Sequence, residues 1–330
     1  MGKYKLITTR TPLRITFTGG GTDIPAYYRR YGPGAVVSAT INKYIYVTVA
    51  KNFYKDEIRV SYSKTENAIK DVEDIEHPTV REALKLLNIK SGIQIVSITE
   101  IPSRGTGLGS SSSFLVGLLN ALHAWKGEAA SAKQLAEEAI KIEREILKEP
   151  GGKQDQYMAA YGGIQLMEFF PDESVNLKKF NIEKCSNNLD QKFVLLYTGI
   201  ERDGTKIHSV QRNYVDEKVL DYNKARDFAY ELFSLLEKCD FGNLAKIMHE
   251  NWMLKKNFSP GITNDSIENI YEIAKKSGSL GGKLQGAGGG GFFLLYTDNK
   301  EKLKENLSNF IVLDFKFDLS GSKITYYENE

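Results

Sequence analysis

The first elements show in the alternation of apolar and polar positions. Leu13 to Phe17 (LRITF) alternates with period two, and Lys43 to Lys51 (KYIYVTVAK) is β-branched and aromatic, so both predict strands. Glu57–Tyr62 (EIRVSY) and Gly92–Thr99 (GIQIVSIT) predict two more. His77–Asn88 (HPTVREALKLLN) has helical spacing, with Pro78 in its first turn, where the missing N–H costs nothing. The strongest helical pattern of the first half is Ser131–Gly152. There Leu135, Ala139, Ile142 and Ile146 share one face, Ser131 and Gln134 form a capping-box signature, and Pro150-Gly151-Gly152 ends the run.

After Phe170 the texture changes. Lys192–Gly199 (KFVLLYTG) predicts a strand, and helical patterns follow over about 220–238, 241–257 and 264–277. A glycine-rich loop, a strand, a helix and two strands close the chain. The pattern predicts two α+β halves, 1–188 and 189–330, with a boundary near residue 188.

Composition narrows the class. With 330 residues, 41% hydrophobic and 26% charged, the chain reads as a globular protein with a sizeable core. A net charge of +2 and the lack of a basic stripe argue against a nucleic-acid binder. The longest apolar run, Phe114–Leu122, is too short to span a bilayer, and the N-terminal stretch has no apolar signal core. Cytoplasm is the expectation. Cys185 and Cys239 lie in no metal-spaced pattern and are expected as two reduced thiols. Monomer and homodimer both stay open.

Three glycine clusters hold the candidate chemistry. In GTGLGSSSSFLVGLL (Gly105–Leu119), alternating glycines precede four serines and an apolar helix. A helix start leaves N–H groups unpaired and carries partial positive charge, so bare backbone ahead of it makes a phosphate cradle. The Walker A pattern is absent, and a flexible serine-capped turn is the competing reading. Gly281–Tyr296 (GGKLQGAGGGGFFLLY) is a second cluster, either a tight connection or a close approach to a ligand. In the third, TFTGGGTDIPAYY, Asp23 stands two residues before Pro25; it is either a helix N-cap or a carboxylate on substrate hydroxyls.

PLRITFTGGGTD, GTGLGSSSS and LQGAGGGGF occur in the order and spacing of the three motifs of the GHMP kinases, and the resemblance covers most of the chain. With IEREILKEPGGKQDQYMAAYGG it looks closest to the kinases of D-glycero-D-manno-heptose 7-phosphate. The resemblance implies a two-domain α+β fold, with an N-terminal domain of ribosomal-protein type, a ferredoxin-like C-terminal domain, and the active site in the cleft between them. It implies ATP and Mg²⁺, and transfer of phosphate to the anomeric hydroxyl.

Residue by residue, the resemblance places Gly105, Gly107, Leu108, Gly109, Ser110, Ser111 and Ser112 on the triphosphate. It makes Ser111 and Glu143 the Mg²⁺ ligands. A helical wheel agrees on one point: at ~100° per residue Glu143 falls beside Ala132, Ala136 and Ile140, whereas Glu145 falls among Gln134, Glu138 and Lys141. The resemblance makes Asp155 the catalytic carboxylate, the alternative being another N-cap, and sets Arg14 beside the reacting hydroxyl. Asp23, Gly20, Gly21, Gln156, Gly288 and Gly289 are implied on the sugar, with Gln154 a further candidate to orient it. Lys153 reads equally as a phosphate partner or a solvated lysine.

For a substrate phosphate, Arg202, Lys206 and Arg212 are candidates, and His208 reads as a surface histidine. Asn42 and Lys43 are candidates for the adenine. The alternative functions are a kinase of another sugar, such as fucose or mannose, and a catalytically silent sugar or nucleotide sensor. Galactose is disfavoured, because motif one reads GGGTD where galactokinases carry G-E-H-T-D. Expected partners are a sugar phosphate and ATP, with no nucleic acid and no membrane.

Overall fold

The computed structural model describes residues 4–102, 105–185 and 189–329. The predicted boundary near 188 falls outside the described residues. β1 (Tyr4–Thr18), α1 (Pro25–Tyr31) and β2 (Gly34–Lys51) open the chain, followed by β3 (Ile58–Ser61), β4 (Thr65–Ile69), α2 (Pro78–Leu86) and β5 (Ile93–Thr99). α3 (Ser110–Lys126), α4 (Ala132–Ile140), a π-helical turn (Lys141–Ile146), α5 (Gln154–Tyr161), β6 (Ile164–Phe169) and β7 (Val175–Phe180) come next. The second half runs β8 (Phe193–Tyr197), α6 (Gly204–Gln211), α7 (Val219–Glu237), α8 (Leu244–Lys255), α9 (Asp265–Lys276), β9 (Gly281–Leu284), β10 (Phe292–Tyr296), α10 (Lys300–Asn306), β11 (Val312–Leu313) and β12 (Lys323–Asn329).

Two sheets organise these elements, giving the expected α+β class. β2 is the spine of the first: it pairs with β1 along its length, with β6 over Gly34–Ala39 and with β5 over Ile45–Lys51. The second sheet has the order β11-β8-β10-β9 and is antiparallel. β12 leaves the second half and pairs with β1, at the edge of the first sheet. The α3 helix is apolar nearly all round and packs on β1 and β2, so its first turn sits at the end of a buried, rigid element. The two sheets share one continuous core, in which the Phe17 and Phe193 rings lie 5.4 Å apart.

Two local results differ from the sequence reading. The long helix predicted from Ser131 starts as expected, with the Ser131 side chain accepting from the Gln134 N–H, but after Ile140 it relaxes into the π-helical turn. Such turns interrupt the regular ladder and re-aim side chains. Cys185 and Cys239 are joined in a disulfide, not left as separate thiols, with their Cα atoms 5.6 Å apart. Cys239 adopts a left-handed φ of 56° just after α7, which turns the chain back toward Cys185.

Candidate active site

Gly105, Gly107 and Gly109 all have left-handed φ, between 71° and 76°, and Gly109 caps α3. A side chain at Gly107 would stand 2.4 Å from the Gln285 carbonyl oxygen, so the loop touches the Gly281–Tyr296 glycine cluster as only glycine allows. Leu108 is fully buried and offers the loop only its backbone; its carbonyl accepts from the Arg14 N–H at 3.0 Å. Ser110 and Thr106 share a hydroxyl contact at 3.3 Å, and Ser113 turns away to the Pro12 carbonyl.

Glu143 sits under this loop. Delivered by the π-helical turn, it is 1% exposed, whereas Glu145 is exposed, as the wheel predicts. Its carboxylate accepts from Ser111 at 3.1 Å, from Ser112 at 2.8 Å and from the Gln156 amide. A hydroxyl beside a buried carboxylate is the oxygen-only set that Mg²⁺ takes when phosphates complete its shell. The residues present therefore fit the ion. Among the described residues no cluster of three or more His, Cys, Asp or Glu forms a self-sufficient metal site, so a nucleotide would have to supply the remaining ligands.

Asp155 lies in the first turn of α5, where Lys153 occupies the N-cap position, so the N-cap alternative is displaced. Instead Asp155 takes a bidentate pair from Arg14, at 2.8 and 2.9 Å. Arg14 also donates to the Gly107 carbonyl, which ties the pair to the serine loop. Asp23 does not cap α1 either, since Ile24 holds that position. Its two oxygens accept from the Gly21 and Gln154 N–H groups at 3.1 and 3.3 Å. Burial pushes the Asp23 carboxyl up from its ordinary value, and the charge of Asp155 adds to this.

Two cavities meet at the Arg14–Asp155 pair. One is an open cleft lined by the serine loop, Glu143, Arg202 and Gly286. The other is enclosed and lined by Asp23, Gly20, Gly21 and Gln154 from one side and Gln211, Lys255 and Lys283 from the other. Beside the serine loop lies an apolar pocket between Ile45, Tyr62, His77, Ile98 and Phe114.

Several expected residues are elsewhere. Gln156 faces Glu143 and not the enclosed cavity, which Gln154 lines in its place. Gly288 and Gly289 pack against Ile262 and the Gly261 carbonyl, and neither lines these two cavities; Gly286 lines both. Lys153 donates to Glu173 and lies over the Tyr28 ring. Asn42 is bound to the Lys316 backbone and, like Lys43, is absent from the apolar pocket. Of the basic trio only Arg202 enters the cleft; Lys206 and Arg212 are exposed. Burial lowers the Arg202 guanidinium to about 10, with Arg14 adding repulsion. His208 is half-buried, not a solvated surface residue. It lines both cavities, its Nδ1 is buried, and burial pushes the imidazole down to about 3. Lys255 and Lys283 were missed altogether, because lysines in a helix and a strand read as solvated.

The family description "GHMP kinases N terminal domain" matches residues 78–163, and "GHMP kinases C terminal" matches 232–312. A D-glycero-alpha-D-manno-heptose 7-phosphate kinase from Campylobacter jejuni is 33% identical, over 97% of this chain and 98% of its own. The chain belongs to the GHMP kinases. It is therefore an enzyme, an ATP-dependent kinase with the two-domain fold of that family. A solved structure described as a D-glycero-D-manno-heptose 1-phosphate kinase from Bacteroides thetaiotaomicron superposes with a TM-score of 0.80 at 24% identity, covering 97% of this chain and 99% of that one. A bifunctional fucokinase/GDP-fucose pyrophosphorylase from Arabidopsis thaliana is 26% identical over 89% of this kinase, which spans 30% of the plant protein. Among the described residues no helix is long and apolar enough to cross a membrane.

Proposed function

We propose that this enzyme is a sugar kinase that moves the γ-phosphate of ATP to the anomeric hydroxyl of D-glycero-D-manno-heptose 7-phosphate, giving the 1,7-bisphosphate. The observation that carries the reading is the Arg14–Asp155 pair at the junction of the open cleft of the serine loop and the smaller cavity at Asp23 and Gln154. Phosphoryl transfer needs positioning and charge neutralisation more than covalent chemistry. In this reading the serine loop and the α3 N-terminus hold the triphosphate, and Arg202 flanks it. Ser111 and Glu143 hold Mg²⁺, which neutralises phosphate charge when bound. The apolar pocket at Tyr62, His77 and Phe114 takes the adenine.

On the acceptor side, Asp23, Gly20, Gly21 and Gln154 hold sugar hydroxyls. Asp155 orients the attacking hydroxyl and accepts its proton, and Arg14 stabilises the oxyanion that develops. We divide the chain into an ATP-binding domain, 1–188, and a second domain, 189–330, whose last strand crosses back to the first sheet. With ATP and a sugar phosphate as its substrates, we infer a cytoplasmic enzyme.

A panel of heptose 7-phosphate, free heptose, mannose, fucose, galactose and homoserine with Mg-ATP tests the reading, with phosphorus NMR locating the product phosphate. Phosphate at C1 of the heptose 7-phosphate supports it. Turnover of another sugar keeps the kinase and discards the heptose. Bound ATP without turnover favours the sensor.

A further inference from the structure

Two lysines line the enclosed cavity without a counter-charge. Lys283, on β9, is 0% exposed, and its ammonium donates to the Thr16 carbonyl at 3.2 Å. Lys255, at the end of α8, is 4% exposed and donates to the Gly286 carbonyl. Among the described residues neither forms an ion pair within 4.0 Å. An ammonium has three donors, and each of these has one protein acceptor.

Burying an uncompensated cation is costly, and one carbonyl offsets little of that cost. Burial lowers Lys255 to about 7, with Arg202 and Arg14 repelling it, and pushes Lys283 well below the ordinary lysine range. Two carboxylates line the same cavity, but Asp155 is held by Arg14, and the Asp23 oxygens accept from Gly21 and Gln154 while burial raises its carboxyl toward the neutral form. Among the described residues these two amines therefore have one carbonyl acceptor each and no paired carboxylate.

The side on which the anion enters is readable from the cavities. Lys255 and Lys283 share theirs with Asp23 and Gln154. Neither lines the cleft of the serine loop and Glu143. On the kinase reading the transferred phosphate occupies that cleft, so an anion held by these lysines belongs to the acceptor. We propose that Lys255 and Lys283 form a second anion site, which takes a phosphate already carried by the sugar and so selects a phosphorylated acceptor over its free form. The proposal rests on the kinase reading above and specifies its acceptor class.

The test uses the full chain as wild type, Lys255→Met and Lys283→Met. Steady-state kinetics compare heptose 7-phosphate with free heptose, and calorimetry without ATP titrates inorganic phosphate. Losing one partner of a buried charge pair costs ~2 kcal/mol or more, so each variant should raise KM for the sugar phosphate by roughly 30-fold or more. KM for ATP should stay within about 2-fold, phosphate binding should vanish, and the preference for the phosphorylated sugar should collapse. Each variant should melt at or above wild type without ligand, because an unpaired buried charge has been removed.

A wild type that uses free sugar as well as sugar phosphate overturns the proposal and leaves the kinase standing. So does an equal effect on ATP, or a variant that unfolds, which makes the lysines structural. If wild type turns over no sugar, the heptose reading fails. Phosphate titration then decides the anion site alone: binding lost in both variants supports it, and no binding by wild type overturns it.

Discussion

Replacing Asp155 by Asn probes the centre of the site with almost no change in shape. The carboxylate loses its charge and one of its two acceptors, so the amide N–H₂ faces an Arg14 donor. The Arg14 side chain is 5% exposed and cannot turn to water, while that of Asp155 is 23% exposed. Breaking a fully buried pair costs ~3–5 kcal/mol. The partial exposure of Asp155 screens part of this, which leaves about 2 kcal/mol. With ~2.1 cal/mol/K of unfolding entropy per residue, that lowers Tm by about 3 °C. The chemical loss should be larger. A positioned base contributes ~10²–10⁴-fold, or about 3–5 kcal/mol of barrier. Steady-state kinetics with saturating acceptor should show that loss in kcat with KM for ATP nearly unchanged. Arg14→Met and the double variant complete a cycle, with a coupling of ~0.5–3 kcal/mol expected. A folded Asp155→Asn enzyme with kcat within about 3-fold of wild type would refute both the base role and the meaning given to the pair.

Four further outcomes follow from the geometry. Glu143→Gln keeps the serine contacts but removes the buried charge, so the Mg²⁺ concentration for half-maximal rate should rise at least ~10-fold, read by metal titration. Gly109→Ala forces a φ of 75° on a residue with a Cβ, at ~1–2 kcal/mol, and sets that Cβ 3.2 Å from Arg14, so kcat should fall while circular dichroism stays native. His123 is buried between Glu138 and Glu128, and the hydrogen bond to Glu138, with that to Glu128, raises its pKa above 6.5. A raised folded-state value favours the protonated form, so its stabilisation is complete below pH ~6.5 and lost as pH rises through the folded value. Melting temperature from pH 6 to 9 should fall in wild type and be flatter in His123→Gln. Reducing the Cys185–Cys239 bond reopens a 54-residue loop, worth about 4 kcal/mol in the chain-entropy account, so dithiothreitol should lower Tm, and free-thiol titration before and after reduction should count two more thiols.

Local physics made much of this protein legible. The alternation at Lys43–Lys51 reflects a strand with one face in the core, whereas at Leu13–Phe17 both faces are buried and the polar Arg14 and Thr16 line the site; helical spacing placed Glu143 on a buried flank and Glu145 outside. The glycine-serine run announced a helix N-terminus with bare backbone, because that feature lies within a few consecutive residues. What joins distant segments stayed hidden. Gln154 and Gln156 differ by two positions in one helix, and only packing decides that one meets the enclosed cavity and the other Glu143. The return of β12 to β1, the Cys185–Cys239 bond and the partial burial of His208 all depend on contacts between elements far apart in the chain. Lys255 and Lys283 make the case most plainly. A lysine's ordinary place is in water, so periodicity assigns it there. Only packing of the second half on β1 removes the water and leaves two lysine side chains facing a cavity.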